Sequence, residues 1–397
     1  MNARRFELDW LRVLVFGFLI LYHVSMYFNP WGWHIKSPTT YGWMELPLLM
    51  LNQWRLEILF VISGMGTFFS LRKRSNRQYA WERIKRLYLP LAFGMLVIIP
   101  PQVYVERVVN EGMTLSYWEF LTNSAFQGIY PEGNMSWHHL WFLPYLLTYS
   151  LLLIPLLRFF RGNTFQRLLN TLQVSLKQNP LNIYFFILPI IFVEATLSPF
   201  FPVMPTLIGD WYAVTHYFLL FLFGFTFMHM SNYFFALCAQ LKQKVLLIAA
   251  IAFGIQVLCF PYMSIKMVDI LQSIFEIVYM WSIILAIFGY ATRYLAHNSR
   301  YLKYLNEGVY PFYIFHQTVL IVAIFQFKTY FHSDLLFFSF LVLATLVGSW
   351  ILFEGVRRIN VLRPFFGLKG KFQGKEERII RPNEGTADWR QMESVTK

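Results

Sequence analysis

Ten stretches of about 20 mostly apolar residues are the feature that most constrains how this chain can fold. A helix of about 20 apolar residues crosses the roughly 30 Å hydrocarbon core of a bilayer. Inside lipid, a helix also satisfies all of its own backbone hydrogen bonds. The stretches lie at 7–28, 48–71, 88–108, 139–158, 181–200, 212–230, 245–263, 270–292, 308–327 and 335–356. The pattern predicts an all-α, polytopic membrane bundle of ten transmembrane helices.

The composition excludes an ordinary soluble domain. Hydrophobic residues make up 57% of the 397 residues and charged residues only 14%, whereas a soluble domain is about half apolar and a quarter charged. The same apolar content excludes a disordered chain. The two cysteines, Cys238 and Cys259, are too few for a disulfide framework. They lie near opposite ends of one predicted span, so we expect them to be unpaired.

The positive charges predict the orientation of the bundle. If the N-terminus is cytoplasmic, 29 of the 34 Lys and Arg residues fall in cytoplasmic segments and one, Arg55, falls within a span. The other four, on the outside, are Lys36, Arg107, Lys266 and Lys328. Positive residues concentrate on the cytoplasmic side of membrane proteins. We therefore predict that both termini are cytoplasmic, and the net charge of +13 needs no nucleic-acid partner.

The domain organisation follows from these spans. Residues 1–366 are predicted to form one transmembrane domain, and the polar residues 367–397 a flexible cytoplasmic tail. The first span contains acidic and basic residues and no small-residue cleavage site follows it, so we interpret it as an uncleaved signal anchor.

Two ionisable residues in the first span are expected to share one helix face. Arg12 and His23 are 11 residues apart, which on an α-helix is about 16 Å of rise and about 20° from full alignment. A titratable group at membrane depth is costly and is usually functional. The alternative is a hydrogen-bonded histidine that only packs in the bundle.

The second span holds Arg55 and Glu57, followed by Ser63–Gly64. Arg55 and Glu57 are two residues apart, so they face different directions and each needs its own partner. Ser63–Gly64 allows a ligand or another helix to approach the backbone closely, and small-residue helix packing is the equally weighted alternative.

Seven cations lie between the second and third spans, among them Arg83 and Arg86. These two arginines are three residues apart, on one face of a helix, and guanidinium groups suit phosphate. They are candidates for binding a phosphorylated cytoplasmic ligand. Topology and anionic lipid are the alternative explanation.

Aromatic and histidine residues mark the outer side. Trp33 and His34 lie in the first outer loop, and His139 and His316 lie in later spans. Aromatic residues at span ends often form an interfacial belt, whereas a buried imidazole requires a specific role. Five histidines near span ends, where water can solvate them, are not candidates: His138, His216, His229, His297 and His332.

Four motifs together resemble the acyltransferase-3 family of integral membrane proteins. They are Leu8–Asp9–Trp10–Leu11–Arg12 with His23 after ten intervening residues, Phe60–Val61–Ile62–Ser63–Gly64, Arg83–Ile84–Lys85–Arg86, and Tyr313–Ile314–Phe315–His316. The second motif departs from the family's Phe-Phe-x-x-Ser-Gly because Leu59 replaces the first Phe. The resemblance covers essentially all ten spans.

The resemblance implies transfer of an acyl group, succinyl or acetyl, from cytoplasmic acyl-CoA to a hydroxyl of a periplasmic or envelope glycan. It implies a multi-pass protein of the bacterial inner membrane whose partners are acyl-CoA, the glycan and the lipid bilayer. No permanently bound cofactor and no metal are expected. The implied catalytic residues are His23, Arg12 and Asp9, the donor-binding residues are Ser63, Gly64, Arg83 and Arg86, and the acceptor-side residues are Trp33, His34, Arg55, His139 and His316.

Two other functions remain open from the sequence. A transporter for a polar solute or anion would use the charged residues to line a permeation path. A sensor or scaffold would bind acyl-CoA without turnover. Acyl transfer measured beside solute flux in proteoliposomes separates the three.

Overall fold

In a computed structural model the chain forms a bundle of long α-helices, which confirms the predicted fold class. The structure describes residues 4–203, 206–259 and 267–370. Two features of the sequence analysis, Lys266 and the tail residues 371–397, lie outside the described residues. Within the described ranges there is no β-strand.

The described α-helices are numbered in chain order. They are α1 (Phe6–Phe28), α2 (Glu45–Leu71), α3 (Asn76–Arg83), α4 (Leu89–Phe93), α5 (Pro100–Glu111), α6 (Tyr117–Asn123), α7 (Phe142–Phe160), α8 (Asn163–Gln178), α9 (Ile187–Leu197), α10 (Trp211–Phe227), α11 (Ser231–Leu258), α12 (Met267–Tyr294), α13 (Leu302–Phe327) and α14 (Asp334–Arg358). Two π-helical turns, Ile84–Tyr88 and Gly94–Ile98, join α3, α4 and α5 into one rod. A 3₁₀ turn, His138–Trp141, precedes α7.

Nine helical segments of the described residues are long and apolar enough to cross a membrane. All ten predicted stretches overlap them. The longest segment, Trp211–Leu258, has 48 residues and overlaps two predicted spans, 212–230 and 245–263. Within it, helices α10 and α11 meet at the 3₁₀ turn Met228–Met230. Residues 260–263 of the seventh predicted stretch lie outside the described part of the chain.

Local sequence signals explain several helix ends. Helix α1 ends at Phe28, just before Asn29–Pro30, because proline disfavours a helical conformation in the residue before it. Helix α3 is capped by Ser75, the residue before it, whose side chain accepts a hydrogen bond from the backbone of Gln78 in a capping box. The basic helix α3 therefore begins shortly after the end of α2.

The bundle is built on a few close helix pairs. Helix α11 packs along α12, α2 along α10, and α13 contacts both α1 and α14. The large buried aromatic side chains, such as Phe60, Tyr149 and Trp281, fill the space between these pairs. Cys238 and Cys259 are both free, as predicted.

The two ends of the described chain lie on one face of the bundle. Asp9, near the start of α1, contacts Asn306 at the start of α13. Arg363, after α14, pairs with Glu307 next to Asn306. This agrees with an even number of crossings, while the assignment of that face to the cytoplasm stays a prediction.

Candidate active site

A hydrogen bond between two histidines joins α1 to α13 within the bundle. Nδ1 of His23 lies 3.0 Å from Nε2 of His316. The other ring nitrogen of His316, Nδ1, lies 2.8 Å from the backbone oxygen of Tyr313 and 3.2 Å from that of Phe312. His316 is only 1% exposed. Helices α1 and α13 therefore both fix the position of the pair.

The partners of His316 define the hydrogen positions on both rings. A backbone oxygen only accepts hydrogen bonds, so Nδ1 of His316 must carry a hydrogen. In a neutral His316 the Nε2 atom then carries none and accepts the hydrogen bond from Nδ1–H of His23. Neutral His23 is therefore left with a free lone pair on Nε2, which is the form that a general base requires.

A buried polar network supports the pair from behind. Nε2 of His139 lies 3.0 Å from the backbone oxygen of Ile314. Gln102 donates to the Thr318 hydroxyl at 2.6 Å and accepts from Gln317 at 3.1 Å. These bonds tie α13 to α5 and to the turn before α7, so the segment that carries His316 has little freedom to move.

Arg12 lies toward the other end of α1 and is held by acidic and amide groups. Its Nη1 donates to Asp9 at 3.1 Å. Asp9 also accepts from Arg4 at 2.7 Å and from Asn306 at 3.1 Å. A Cβ atom at Gly66 would lie only 3.1 Å from Nη2 of Arg12. The glycine on α2 therefore leaves room for the guanidinium.

Three arginines share this end of the bundle. Arg83 interacts electrostatically with both Arg12 and Arg86. The Arg83 guanidinium donates to the Thr67 hydroxyl at 3.4 Å and stands 5.0 Å from the ring centre of Tyr79. Three neighbouring cations repel one another, so an anion that binds several of them is favoured. Phosphate groups suit this arrangement.

Arg55 is a buried cation on the outer half of α2. It is 4% exposed, and its guanidinium lies 3.6 Å from the ring centre of Tyr22. It interacts electrostatically with His23 and His316. Its Nε and Nη1 atoms have no hydrogen-bond partner within the described chain. These two buried donors therefore have the capacity to bind a negatively charged oxygen.

The outer side of His23 is covered by the first outer loop. The ring of Trp33 lies 6.5 Å from that of His23, with an angle of 23° between the planes. Its neighbour His34 contacts the Glu106 carboxylate through Nδ1 at 2.5 Å. The His34 ring centre is 4.6 Å from that of His138. We call His34, Glu106 and His138 the outer cluster.

A tyrosine of the long outer loop orients the carboxylate of the outer cluster. The Tyr130 hydroxyl donates to Glu106 at 2.7 Å. Burial and this hydrogen bond both raise the pKa of Tyr130, so the phenol keeps its proton at neutral pH. The loop is held by Arg107, which donates to Asn134 at 3.0 Å and to the backbone oxygen of Pro131 at 2.6 Å.

A cavity of about 470 Å³ opens on the other side of α2, between α9, α10 and α12. Its lining carries four carboxylates, and Trp141 supplies an aromatic wall. The titratable lining residues are Glu57, Glu194, Asp210, Tyr212, His216, Tyr217 and Glu276. Carboxylates beside aromatic rings offer hydrogen-bond acceptors and flat apolar surfaces, a combination that suits a polyhydroxylated molecule.

Ser63 and Gly64 have different surroundings although they are adjacent. A Cβ atom at Gly64 would lie 1.9 Å from the backbone oxygen of Phe221, so Gly64 serves the close contact of α2 with α10. This is the helix-packing alternative raised by the sequence. Ser63 is partly exposed and lies one turn from Gly66, the glycine that faces Arg12.

The structure groups most of the residues that the sequence nominated. Asp9, Arg12, Arg83 and Arg86 lie together at one end, and Trp33, Arg55 and His316 surround His23. His139 stands behind His316 in the polar network, and His34 belongs to the outer cluster. Their functional roles stay predictions.

Sequence reasoning did not find several polar residues of this region. Glu106, His138, Gln102 and His216 were missed. Glu106 is ionisable and lies within a predicted span, so the rule that selected His23 applies to it as well. His138 and His216 were set aside as solvated, whereas His216 is 7% exposed and Nε2 of His138 is shielded from solvent.

Comparison with a family model and with curated proteins finds sequences similar to this chain. The family model described as an acyltransferase domain, acyltransferase-3, matches residues 5–354. The glucans biosynthesis protein C of Salmonella heidelberg (strain SL476) is 24% identical over 211 residues, which are 52% of each chain. The protein of the same name from Salmonella dublin is 25% identical over 162 residues, 40% of each chain.

The similarity to these relatives is partial. The chain spans about half the length of the first curated relatives that it matches. No solved structure matches it. The family model nevertheless covers most of the chain, including all the residues grouped around His23 and Arg12. The chain belongs to the acyltransferase-3 family of membrane acyltransferases.

Proposed function

We propose that this protein moves an acyl group, succinyl or acetyl, from cytoplasmic acyl-CoA to a hydroxyl of a periplasmic or envelope glycan in a bacterial inner membrane. The observation that carries the proposal is the hydrogen bond from His23 to His316, which leaves Nε2 of His23 as a free base. The name of the relatives, glucans biosynthesis protein C, supports a glycan as the acceptor.

The reaction is an acyl transfer with His23 as general base. Nε2 of His23 removes the proton from the acceptor hydroxyl while the oxygen attacks the thioester carbonyl carbon. The tetrahedral intermediate then breaks its carbon–sulfur bond. The departing sulfur takes the proton back from Nε2 of His23, which yields an ester and free CoA. Such proton transfer contributes about 10²–10⁴-fold to the rate.

His316 acts as a positioning residue. When His23 becomes an imidazolium, its Nδ1–H still donates to the lone pair on Nε2 of His316. His316 therefore holds the ring in one orientation throughout the reaction. The backbone oxygen of Tyr313 keeps His316 in the accepting form.

The three arginines at the other end bind the donor. Arg83 and Arg86, with Arg12 nearby, hold the phosphates of CoA, and the thioester arm extends along α1 toward His23. The distance along the helix between Arg12 and His23 is about 16 Å. Asp9 fixes the Arg12 side chain. This layout delivers the donor and the acceptor to His23 from opposite faces of the membrane.

Arg55 stabilises the negative oxygen of the tetrahedral intermediate. Its two unpartnered N–H groups are buried near His23, where a charge-assisted hydrogen bond is strongest. The backbone N–H groups around Gly64 are an alternative that the sequence suggested. They lie inside the continuous helix α2, where backbone N–H groups are already bonded to carbonyls one turn earlier.

The test is a proteoliposome assay with His23→Ala and His23→Gln. The vesicles contain labelled succinyl-CoA or acetyl-CoA at the face that carries Arg83, and oligosaccharide acceptor is supplied at the other face. We expect both variants to lose transfer by at least about 100-fold while they still bind CoA and elute as folded protein. His332→Ala removes an exposed histidine and serves as the matched control with normal activity.

Three outcomes contradict the proposal. Normal ester formation by folded His23→Ala removes His23 from the mechanism. Flux of a solute across vesicles of the wild-type protein without any labelled ester in the glycan supports the transporter alternative. CoA binding without turnover supports a sensor.

A further inference from the structure

The outer cluster brings together three potential metal ligands from three separate elements. His34 comes from the loop after α1, Glu106 from α5, and His138 from the 3₁₀ turn before α7. One ligand atom from each residue lies within 4.8 Å of the other two. The side chains of His34 and Glu106 are only 16% and 10% exposed. The proposed acyl transfer uses none of these three residues.

His138 has a ring nitrogen that needs a partner. Its Nε2 atom is shielded from solvent and has no hydrogen-bond partner among the residues that the structure describes. Its Nδ1 atom and its backbone N–H both lie within hydrogen-bond distance of the Ser136 hydroxyl oxygen, at 3.1 Å and 2.9 Å. In the tautomer in which Nδ1–H donates to that oxygen, Nε2 is left with a free lone pair. A buried polar atom without a partner is destabilising.

The backbone of His138 is held in an unusual conformation. Its φ is +37°, in the left-handed region that residues other than glycine rarely adopt. Strained residues of this kind persist where the surrounding structure fixes them, often at functional sites. Here the conformation accompanies an imidazole that lies against His34.

The other two residues are oriented as metal ligands usually are. One oxygen of Glu106 accepts from the Tyr130 hydroxyl at 2.7 Å, so the second oxygen is the one directed at His34. Asn110 holds the backbone oxygen of His34 at 2.8 Å. Hydrogen bonds from a second layer of residues commonly fix the first ligands of a metal in this way.

A simple ion pair accounts for only part of the cluster. His34 and Glu106 satisfy each other at 2.5 Å, but this pair leaves Nε2 of His138 unsatisfied beside them. A cation shared by all three residues gives a partner to every ligand atom. We infer that His34, Glu106 and His138 bind a zinc ion that fastens the first outer loop to α5 and to the turn before α7.

The donor set favours zinc. Two imidazole nitrogens and one carboxylate oxygen are typical of zinc sites that keep a fourth position open. Zinc bonds of about 2.0–2.2 Å place tetrahedral ligand atoms about 3.3 Å apart. Nδ1 of His34 and Oε2 of Glu106 lie 2.5 Å apart, and the ligand atoms of all three residues lie within 4.8 Å of one another, so zinc binding requires side-chain adjustments of about an ångström. Because Trp33 stacks on His23 and precedes His34, the ion would hold the outer wall of the active site.

The test measures zinc on the full-length protein. The protein is purified in detergent with a tag that lacks histidine, stripped with a chelator, loaded with Zn²⁺ and desalted before elemental analysis. We expect about one zinc per chain in the wild type. His138→Ala and Glu106→Gln are expected to weaken zinc binding at least about tenfold. His297→Ala, which removes an exposed histidine elsewhere, should bind like the wild type.

A second measurement protects the test against unfolded variants. Co²⁺ replaces Zn²⁺ in the stripped wild type, and the visible absorption of low-coordinate Co²⁺ is recorded and then displaced by Zn²⁺. Zinc should also raise the midpoint of thermal unfolding of the wild type, because it binds the folded state. Zinc retained equally by His138→Ala, or a wild type with neither bound zinc nor the Co²⁺ band, overturns the inference. Neither readout depends on acyl transfer.

Discussion

In the proposed mechanism His316 acts on the chemistry only through His23, and this gives its variants a specific signature. In His316→Ala the Nδ1–H of His23 loses its acceptor, so the ring is free to rotate or to change tautomer. We predict a fall in kcat of about 10–100-fold, the usual effect of losing a supporting hydrogen bond. The KM for acyl-CoA should stay unchanged, because the arginines that we propose to bind the donor are untouched. Initial rates measured at varied acyl-CoA concentrations give both kcat and KM.

The conservative variant distinguishes positioning from packing. In His316→Gln the amide oxygen is able to accept from His23, so this variant should recover part of the lost kcat. Equal activity of the Ala and Gln variants would mean that the hydrogen bond is not what His316 contributes.

Arg83 should affect donor binding and little else. Its guanidinium has only a 3.4 Å hydrogen bond to Thr67 and a ring contact with Tyr79, so most of its donors are available to a ligand. We predict that Arg83→Ala raises the KM for acyl-CoA about 10–100-fold, since a hydrogen bond to a charged group contributes about 1.5–3 kcal/mol. The KM of Arg83→Lys should lie between those of the wild type and Arg83→Ala, because lysine keeps the charge without the planar guanidinium group.

Binding measured at increasing salt provides the check on Arg83. Loss of one phosphate contact should make CoA binding less sensitive to salt than in the wild type. An unchanged affinity in Arg83→Ala would mean that the basic loop sets topology only.

At the scale of single residues, the sequence predicted positions better than partners. The spacing of Arg12 and His23 placed both on one helix face. The bond between His23 and His316 was not predicted, because these residues are 293 positions apart and only the packing of α1 on α13 brings them together. The outer cluster was not predicted for the same reason, because its three residues are far apart in the sequence.

At the scale of elements, two glycines determine how closely α2 and α10 approach. A Cβ atom at Gly64 would lie 1.9 Å from the backbone oxygen of Phe221, and a Cβ at Gly224 would lie 1.9 Å from that of Val61. The contact is reciprocal, with each glycine against the backbone of the other helix. Small residues allow such close packing in membrane bundles, and the contact holds the helix that carries Arg55.

We predict that Gly64→Ala and Gly224→Ala destabilise the protein by about 1–3 kcal/mol, because the helices must separate to admit the methyl group. The midpoint of thermal unfolding in detergent, followed by tryptophan fluorescence, measures the loss. Gly17→Ala is the matched control, since a Cβ atom there meets nothing within 4 Å and alanine favours a helix. Equal midpoints for Gly64→Ala and Gly17→Ala would contradict the close contact.

Among the elements, the sequence left the purpose of Ser63–Gly64 undecided. Small residues are required both for ligand approach and for helix packing, and one sequence does not separate the two. The partner glycine on α10 decides the matter for Gly64, because only the paired backbones show that the space is already filled. Ser63, beside it, is partly exposed, and its place near the donor stays a prediction.

At the scale of the whole molecule, hydropathy and charge predicted the architecture because they report on the bilayer rather than on tertiary contacts. Every predicted stretch overlaps a segment that is long and apolar enough to span. The path of the chain between the spans was harder to predict from the sequence. The break at Met228–Met230, which divides the longest segment, carries no proline or glycine, so only hydropathy separated its two spans.

The orientation of the molecule is the prediction on which the direction of transfer depends. Glu132 is exposed in the loop before α7, and Lys303 is exposed at the start of α13, on the face that carries Asp9 and Asn306. In a background without Cys238 and Cys259, a membrane-impermeant maleimide should label Glu132→Cys in intact cells. It should label Lys303→Cys only after the membrane is permeabilised. The reverse pattern would place Arg12, Arg83 and Arg86 outside the cell, where they have no access to cytoplasmic acyl-CoA, and the donor would then have to reach His23 from the side covered by Trp33.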